Sequence, residues 1–273
     1  MPDNPIRPKN LPDFRQPPLN EVLLGVQFAP AKGYDQIRAG EVWNLFRTDF
    51  PNVEEQPPLA PVFETFGLSP MAVPLNFGIA TGAQHDRFWF LTPEKDELIQ
   101  FQHDRLLHNW RKVGDQSNEY PRFEKMIVSF EKELRQLENY FNSLEPQPFV
   151  CNQAEISYIN HIPIAEVGDE RSSKWVRFLN FGDSEPDDVA CYFRRVLKGP
   201  SGVPYARLAG EFSSAGSRGG GRIFSLTLTV RGAPRDTEIS SAIEFLKMGR
   251  EVIVNEFAAI TTDSAQSLWE RIQ

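Results

Sequence analysis

The chain has 273 residues, 40% of them aliphatic, aromatic or cysteine and 24% charged, with a formal net charge of −8. A chain of this length buries roughly three quarters of its unfolded surface, and the composition is globular, which excludes extended disorder and any need for an external staple. The negative field repels polyanions and argues against nucleic acid as partner. No run of about 18 apolar residues offers a spanning helix, so the expectation is a cytoplasmic protein with no membrane contact.

Residues 1–18 read as a proline-rich extended arm, because proline fixes φ and biases the residue before it away from helix. Residues 19–273 read as one α+β domain, with two pseudo-duplicated halves, 19–118 and 119–273, as an option. In Glu21 to Phe28, Val22, Leu24, Val26 and Phe28 alternate with Leu23, Gly25 and Gln27, the period of a strand with one buried face. Tyr34 to Phe50 shifts to helical spacing, with Ile37, Val42, Leu45 and Phe46 on one side and Pro51 stopping the run. The proline-dense stretch Pro51 to Pro74 is expected to be a surface connection, with Val62 to Phe66 pairing briefly at an edge.

Arg87 to Leu91, Glu97 to His103 and Arg105 to Val113 read as a three-strand meander. Alternation puts Gln100 and Gln102 on one face of their strand, and Leu107, Asn109 and Arg111 on one face of the next, which allows a polar row across one sheet surface. With Pro121 at its first position, a helix follows through Phe123, Ile127, Phe130, Leu134, Leu137, Phe141 and Leu144. Phe149 to Ile162 reads as a long strand, and Pro163 to Lys174 as a charged loop. Asp187 to Leu197 fits both periods, with helix preferred. Tyr205 to Ser213 and Arg222 to Arg231 form a hairpin around a glycine-rich tip. A long helix capped by Asp236 or Thr237 follows, with Ile239, Ile243, Leu246, Ile253 and Phe257 inward. A short helix opened by Asp263, with Gln266 three residues on, closes the chain. Because strands and helices do not alternate strictly, the fold class is α+β, with mainly antiparallel sheet packed on long amphipathic helices.

No motif of known chemistry is present. The glycine-rich tip lacks a Gly-Lys-Ser/Thr ending and opens no helix, so neither phosphate-binding fingerprint applies. The four histidines have no zinc-binding spacing, and Cys151 and Cys191 fall in apolar elements where a thiol is inert. No metal and no cofactor are expected. The candidates for ligand binding are the polar strand residues Gln100, Gln102, Asn109, Arg111, Glu155, Tyr158, Asn160 and His161, whose groups offer directional bonds without proton transfer. The alternative is that they form the wet face of a half-covered antiparallel sheet.

Several of these residues sit in segments that resemble a known family. These are Pro17-Pro18-Leu19-Asn20-Glu21-Val22, Leu98-Ile99-Gln100-Phe101-Gln102 leading to Asn109-Trp110-Arg111, Tyr120-Pro121, and Glu155-x-x-Tyr158-Ile159-Asn160-His161-Ile162. They resemble a family of uncharacterised, sporadically distributed bacterial proteins. The closing helix with Phe257 and Trp269 resembles that family's C-terminal end. The resemblance implies an accessory role, in the manner of exchanged defence-linked genes, and implies no activity.

The expectation is thus a non-enzymatic binding or regulatory module for a small molecule or a protein partner. The alternative is an enzyme acting on a nucleotide or other phosphorylated compound, with Arg111, Glu155 and His161 close together. Self-association as a homodimer, through an exposed strand or the helix from Phe123 to Leu144, is the third reading.

Overall fold

The structure is a computed structural model that describes residues 7–66, 86–164, 170–216 and 221–273. Its elements are β1 (Leu19–Phe28), a 3-10 turn (Gln36–Arg38), α1 (Ala39–Phe46), β2 (Asn52–Gln56), β3 (Arg87–Leu91), β4 (Glu97–Gln102), β5 (Arg105–Arg111) and α2 (Phe123–Leu144). There follow β6 (Cys151–Ile164), α3 (Ser172–Trp175), β7 (Ala190–Lys198), β8 (Pro204–Gly216), β9 (Arg222–Gly232), α4 (Ile239–Ile260) and α5 (Asp263–Leu268). The strands form one nine-stranded sheet in the order β2-β3-β4-β5-β1-β6-β9-β8-β7. Every pairing in it is antiparallel, so the protein is α+β and mostly sheet.

Strand alternation decides which residues meet the helices. Val22, Leu24 and Val26 of β1, Ile156 and Ile162 of β6, and Leu226, Leu228 and Val230 of β9 join one core with α2 and α4. Phe130, Leu134 and Leu137 of α2 and Ile253 and Leu246 of α4 are fully buried there, at the three- and four-residue steps that keep one side of a helix inward. Each such side chain contributes roughly 1.5–3 kcal/mol by leaving water. The other face of the sheet carries the odd-numbered set Gln27, Arg105, Gln153, Glu155 and Arg231, together with Gln100 and Gln102. None of the helices among the described residues is long and apolar enough to cross a membrane.

Several sequence expectations need correction. Helix does not run from Tyr34: the 3-10 turn comes first and Ile37, expected inward, is 92% exposed. Val62 to Phe66 pairs with no strand, whereas Asn52–Gln56, inside the proline-dense stretch, pairs with β3 as the sheet's outermost strand. An edge position is where flanking prolines leave the ladder undisturbed. Residues 67–74 of that stretch, and 217–220 of the glycine-rich tip, lie outside the described residues. Pro121 is not the first residue of α2, since Arg122 at φ 74° separates it from the helix. The cap of α4 is Glu238 and that of α5 is Thr262, whose hydroxyl accepts from the Ala265 amide; Gln266 instead turns inward and donates to Ala258 and Thr261. The charged loop contains the short helix α3.

The largest correction is β7, where helix was expected. Its apolar residues satisfied both periods, and the deciding partner lies on another strand. Phe193 lies over Gly210 of β8, where an added Cβ would stand 2.1 Å from the ring. Glycine there allows the aromatic ring to lie flat on its neighbour. Gly210→Ala should therefore lower stability by about 1–3 kcal/mol, the usual cost of overpacking, read as a lower urea midpoint with unchanged slope.

Candidate functional site

Residues 57–66 leave β2 and cross the open face of the sheet transverse to its strands. Side chains from four strands, β4, β1, β6 and β8, grip the main chain of this crossing. Gln102 of β4 accepts from the Leu59 amide at 2.8 Å and donates to the Leu59 carbonyl at 3.0 Å. Gln27 of β1 accepts from Val62 N at 3.1 Å, and Gln153 of β6 accepts from Glu64 N at 3.3 Å. Arg207 of β8 donates to the Thr65 carbonyl at 2.7 Å and to Glu64 Oε2 at 2.8 Å. A primary amide carries a donor and an acceptor side by side, so a glutamine pairs with a peptide unit much as another peptide would. From Leu59 to Thr65 the extended chain covers roughly 20 Å, against roughly 24 Å for the strand spacings between β4 and β8, and the long side chains bridge the remainder.

Between crossing and sheet lies a cavity of about 310 Å³, floored by Gly25 and Leu107, roofed by Leu59, Ala60 and Val62, and walled by Gln27, Arg105, Gln153, Glu155 and Arg231. Gly25 creates the floor: a Cβ there would stand 2.5 Å from Leu107 Cδ2 and 3.0 Å from Glu155 Cγ. Arg105 is held by Asp104, at 3.0 Å to each carboxylate oxygen, and Arg231 donates to Glu155 at 2.6 Å. A second cavity of about 270 Å³ lies on the far side of Val62, between Phe63 to Thr65 and Tyr192, Arg194 and Glu211.

The eight residues expected at a ligand site do not form one. Gln100 and Asn109 belong to a relay across four strands, in which Arg87 and Trp89 donate to Gln100 Oε1 at 2.5 and 3.0 Å, Gln100 donates to Asn109 at 2.8 Å, and Asn109 donates to Glu21 at 2.5 Å. Burial raises the Glu21 carboxyl against the opposing pull of Asn109 and Arg111. Arg111 donates to the Lys95 carbonyl and lies over the Trp89 ring, which Arg87 also covers. Gln102 holds the crossing, and Glu155 borders the cavity. His161 stands on the open face, half-buried, with burial lowering its pKa. Tyr158 and Asn160 point to the helix side: Tyr158 meets the Tyr120 hydroxyl at 3.3 Å and Asn160 donates to the Leu226 carbonyl. Arg111, Glu155 and His161 are not neighbours either. The register sets Arg111 across β1 from Ile159, and Glu155 is four residues further along β6, so Arg111 and Glu155 are roughly 16 Å apart.

The chain matches no family model, no curated protein and no solved structure. The functional reading therefore rests on geometry. Gln27, Arg105, Gln153 and Arg231 were missed by sequence reasoning, although the alternation that placed Glu155 on the open face places Gln153 there as well, and that of β1 does the same for Gln27. Their common role depends on residues 57–66, whose path no periodicity encodes.

A separate titratable cluster sits under the helices. His108 of β5 is 1% exposed, with Nδ1 at 2.9 and 3.0 Å from the Glu133 carboxylate of α2 and Nε2 at 3.4 Å from Glu97 of β4. Burial disfavours the charged ring, but Glu133 and then Glu97 outweigh it and raise its pKa to about 10. The pair borders a depression of about 510 Å³ that Asp49, Asp96 and Lys132 also line. Among the described residues, no group of His, Cys, Asp or Glu is arranged to hold a metal ion. Cys151 is buried, which pushes its thiol up to about 12 and away from nucleophilic chemistry, and Cys191 is half-buried; both are free thiols.

Two outcomes follow for these contacts. Gln102→Met keeps the shape but removes both bonds to Leu59 and a third to Asp104; at about 0.5–1.5 kcal/mol for each bond to Leu59, proteolysis within 57–66 should quicken about tenfold or more, a larger change than in the global melt. For His108 the folded pKa is raised, so its stabilisation is complete below its ordinary value of 6.5 and is lost as pH climbs toward about 10. Urea midpoints should therefore fall from pH 6.5 to 9.5, and Glu133→Gln should flatten that dependence.

Proposed function

We propose that this chain is a non-enzymatic binding and regulatory module that holds a small ligand between the open sheet face and residues 57–66. The observation that carries the reading is the cavity of about 310 Å³ walled by amide, guanidinium and carboxylate groups over an apolar floor. Such a lining orients a ligand by directional bonds while apolar contact supplies affinity. None of the wall residues forms a nucleophile–base pair, which favours retention over turnover.

The cavity straddles β1, which pairs with β6 at the junction of the halves 19–118 and 119–273. We read the chain as pseudo-duplicated, since β1, a short helix and a strand meander are followed by the 22-residue α2 just past residue 118, and β6, a short helix and a strand meander are followed by the 22-residue α4. Those long helices are amphipathic, and the protein is taken to work in the cytoplasm as an accessory component of the bacterial family it resembles. A protein partner is the second reading. It is favoured by the outer side of the crossing, where Val62 is 41%, Phe63 56% and Phe66 38% exposed. A ligand beneath and a partner above would then be coupled through the same ten residues.

Native mass spectrometry of the protein from its own host, compared with the denatured chain, tests the reading. A small-molecule mass excess is expected in the native spectrum. Ala60→Trp, which fills the cavity from its roof, should abolish that excess without changing the melting temperature. A bare wild-type chain, or an excess untouched by Ala60→Trp, would overturn it.

A further inference from the structure

We infer that the ligand of this cavity is a small zwitterion of the amino-acid class, its carboxylate on Arg105 and its ammonium on Glu155. The inference rests on the cavity being a ligand site, as proposed above, and adds the chemistry of the occupant. Arg105 and Glu155 stand on opposite sides of β1: Arg105 is across from Gln27 on β5, and Glu155 across from Gly25 on β6. Their side chains share the open face, with Cα atoms roughly 12 Å apart by strand spacing and rise.

Each presents one atom that is unused among the described residues. Arg105 commits Nε and Nη2 to Asp104 and reaches Gln27 through Nη2 at 3.4 Å, so Nη1 has no partner among the described residues. Glu155 receives Arg231 on Oε2, while Oε1 has no such partner. Arg105 is 7% exposed and clamped by a buried carboxylate, so it meets a ligand already oriented.

Charge decides the class. Arg105, Arg207 and Arg231 are matched by Asp104, Glu64 and Glu155, so the surroundings are neutral as they stand. A phosphorylated compound would place uncompensated negative charge beside groups that are mostly buried, and a simple cation the reverse, at a cost that grows with that burial. A zwitterion adds no net charge and satisfies both unused atoms. The floor of Leu107 and Gly25 and the roof of Leu59 and Val62 suit an aliphatic body. At about 310 Å³ the space sits at the small end of ligand pockets.

Calorimetry on the full chain tests this with L-leucine and 5-aminopentanoate, zwitterions of short and long charge separation, against leucinamide and pentanoate, which each keep one charge. At least one zwitterion should bind tenfold or more tightly than both controls. Glu155→Gln should weaken that zwitterion and, by leaving Arg231 under-compensated, should not weaken pentanoate. Arg105→Lys, which retains the charge beside Asp104, should weaken it and leave leucinamide unchanged. Controls binding as well as zwitterions, or neither variant altering zwitterion affinity, would overturn the inference. If no probe binds while native mass spectrometry finds another retained compound, the zwitterion fails and the binding reading stands. If no probe binds and the native chain is bare, both fail.

Discussion

β1 is hydrogen-bonded to β5 along one side and to β6 along the other, and this double pairing turns the two halves of the chain into one sheet. Its register is fixed by burial. Val22, Leu24 and Val26 are fully inaccessible against the helices, and a slip of one residue would turn them to the open face and bring Leu23, Gly25 and Gln27 inward. Because that register holds, Gly25 lies between Leu107 and Glu155, and Gln27 between Arg105 and Gln153. The cavity floor and two of its walls follow from the same pairing.

The open face shows how a polar sheet surface is satisfied without a second layer of helices. Amide and guanidinium groups bond one another across strands from Arg87 to Glu21, and further along the sheet they bond the main chain of residues 57–66. The relay through Gln100 and Asn109 is internally complete, which makes those residues part of the scaffold. The groups around Gly25 are incompletely matched among the described residues, where Arg105 Nη1 and Glu155 Oε1 have no partner. The distinction between the two regions lies in hydrogen-bond partners, since their residue types are alike.

Much of the sheet and both long helices were legible in the sequence, because alternation and three-four spacing report which face is buried whatever the partner. That logic succeeded for β1, the meander, β6 and the β8–β9 hairpin. It failed for β7, where Val189, Phe193, Val196 and Leu197 suited a helical face, Val189, Cys191 and Phe193 suited a strand, and the contact of Phe193 with Gly210 belongs to the strand. It failed for Ile37 because a 3-10 turn rotates the chain before α1 begins. Among the site candidates, face assignments were sound: Gln100, Gln102, Asn109, Arg111, Glu155 and His161 share the open face, while Tyr158 and Asn160 lie on the other, as their even positions in β6 require. Sharing a face did not make them one site.

The sequence by itself determined the antiparallel α+β class, the positions of most strands and the polarity of the open face, because these depend on periodicity within single elements. Only the tertiary structure decided which polar residues converge. Arg105 and Glu155 are fifty positions apart in sequence and come together because each pairs with β1 from opposite sides, at registers set by helices packed on the far face. Residues 57–66 have no period to declare their path. It is set by amides on β4, β1 and β6, which the sheet order brings to one face, and a partner chosen by proximity leaves no pattern along the chain.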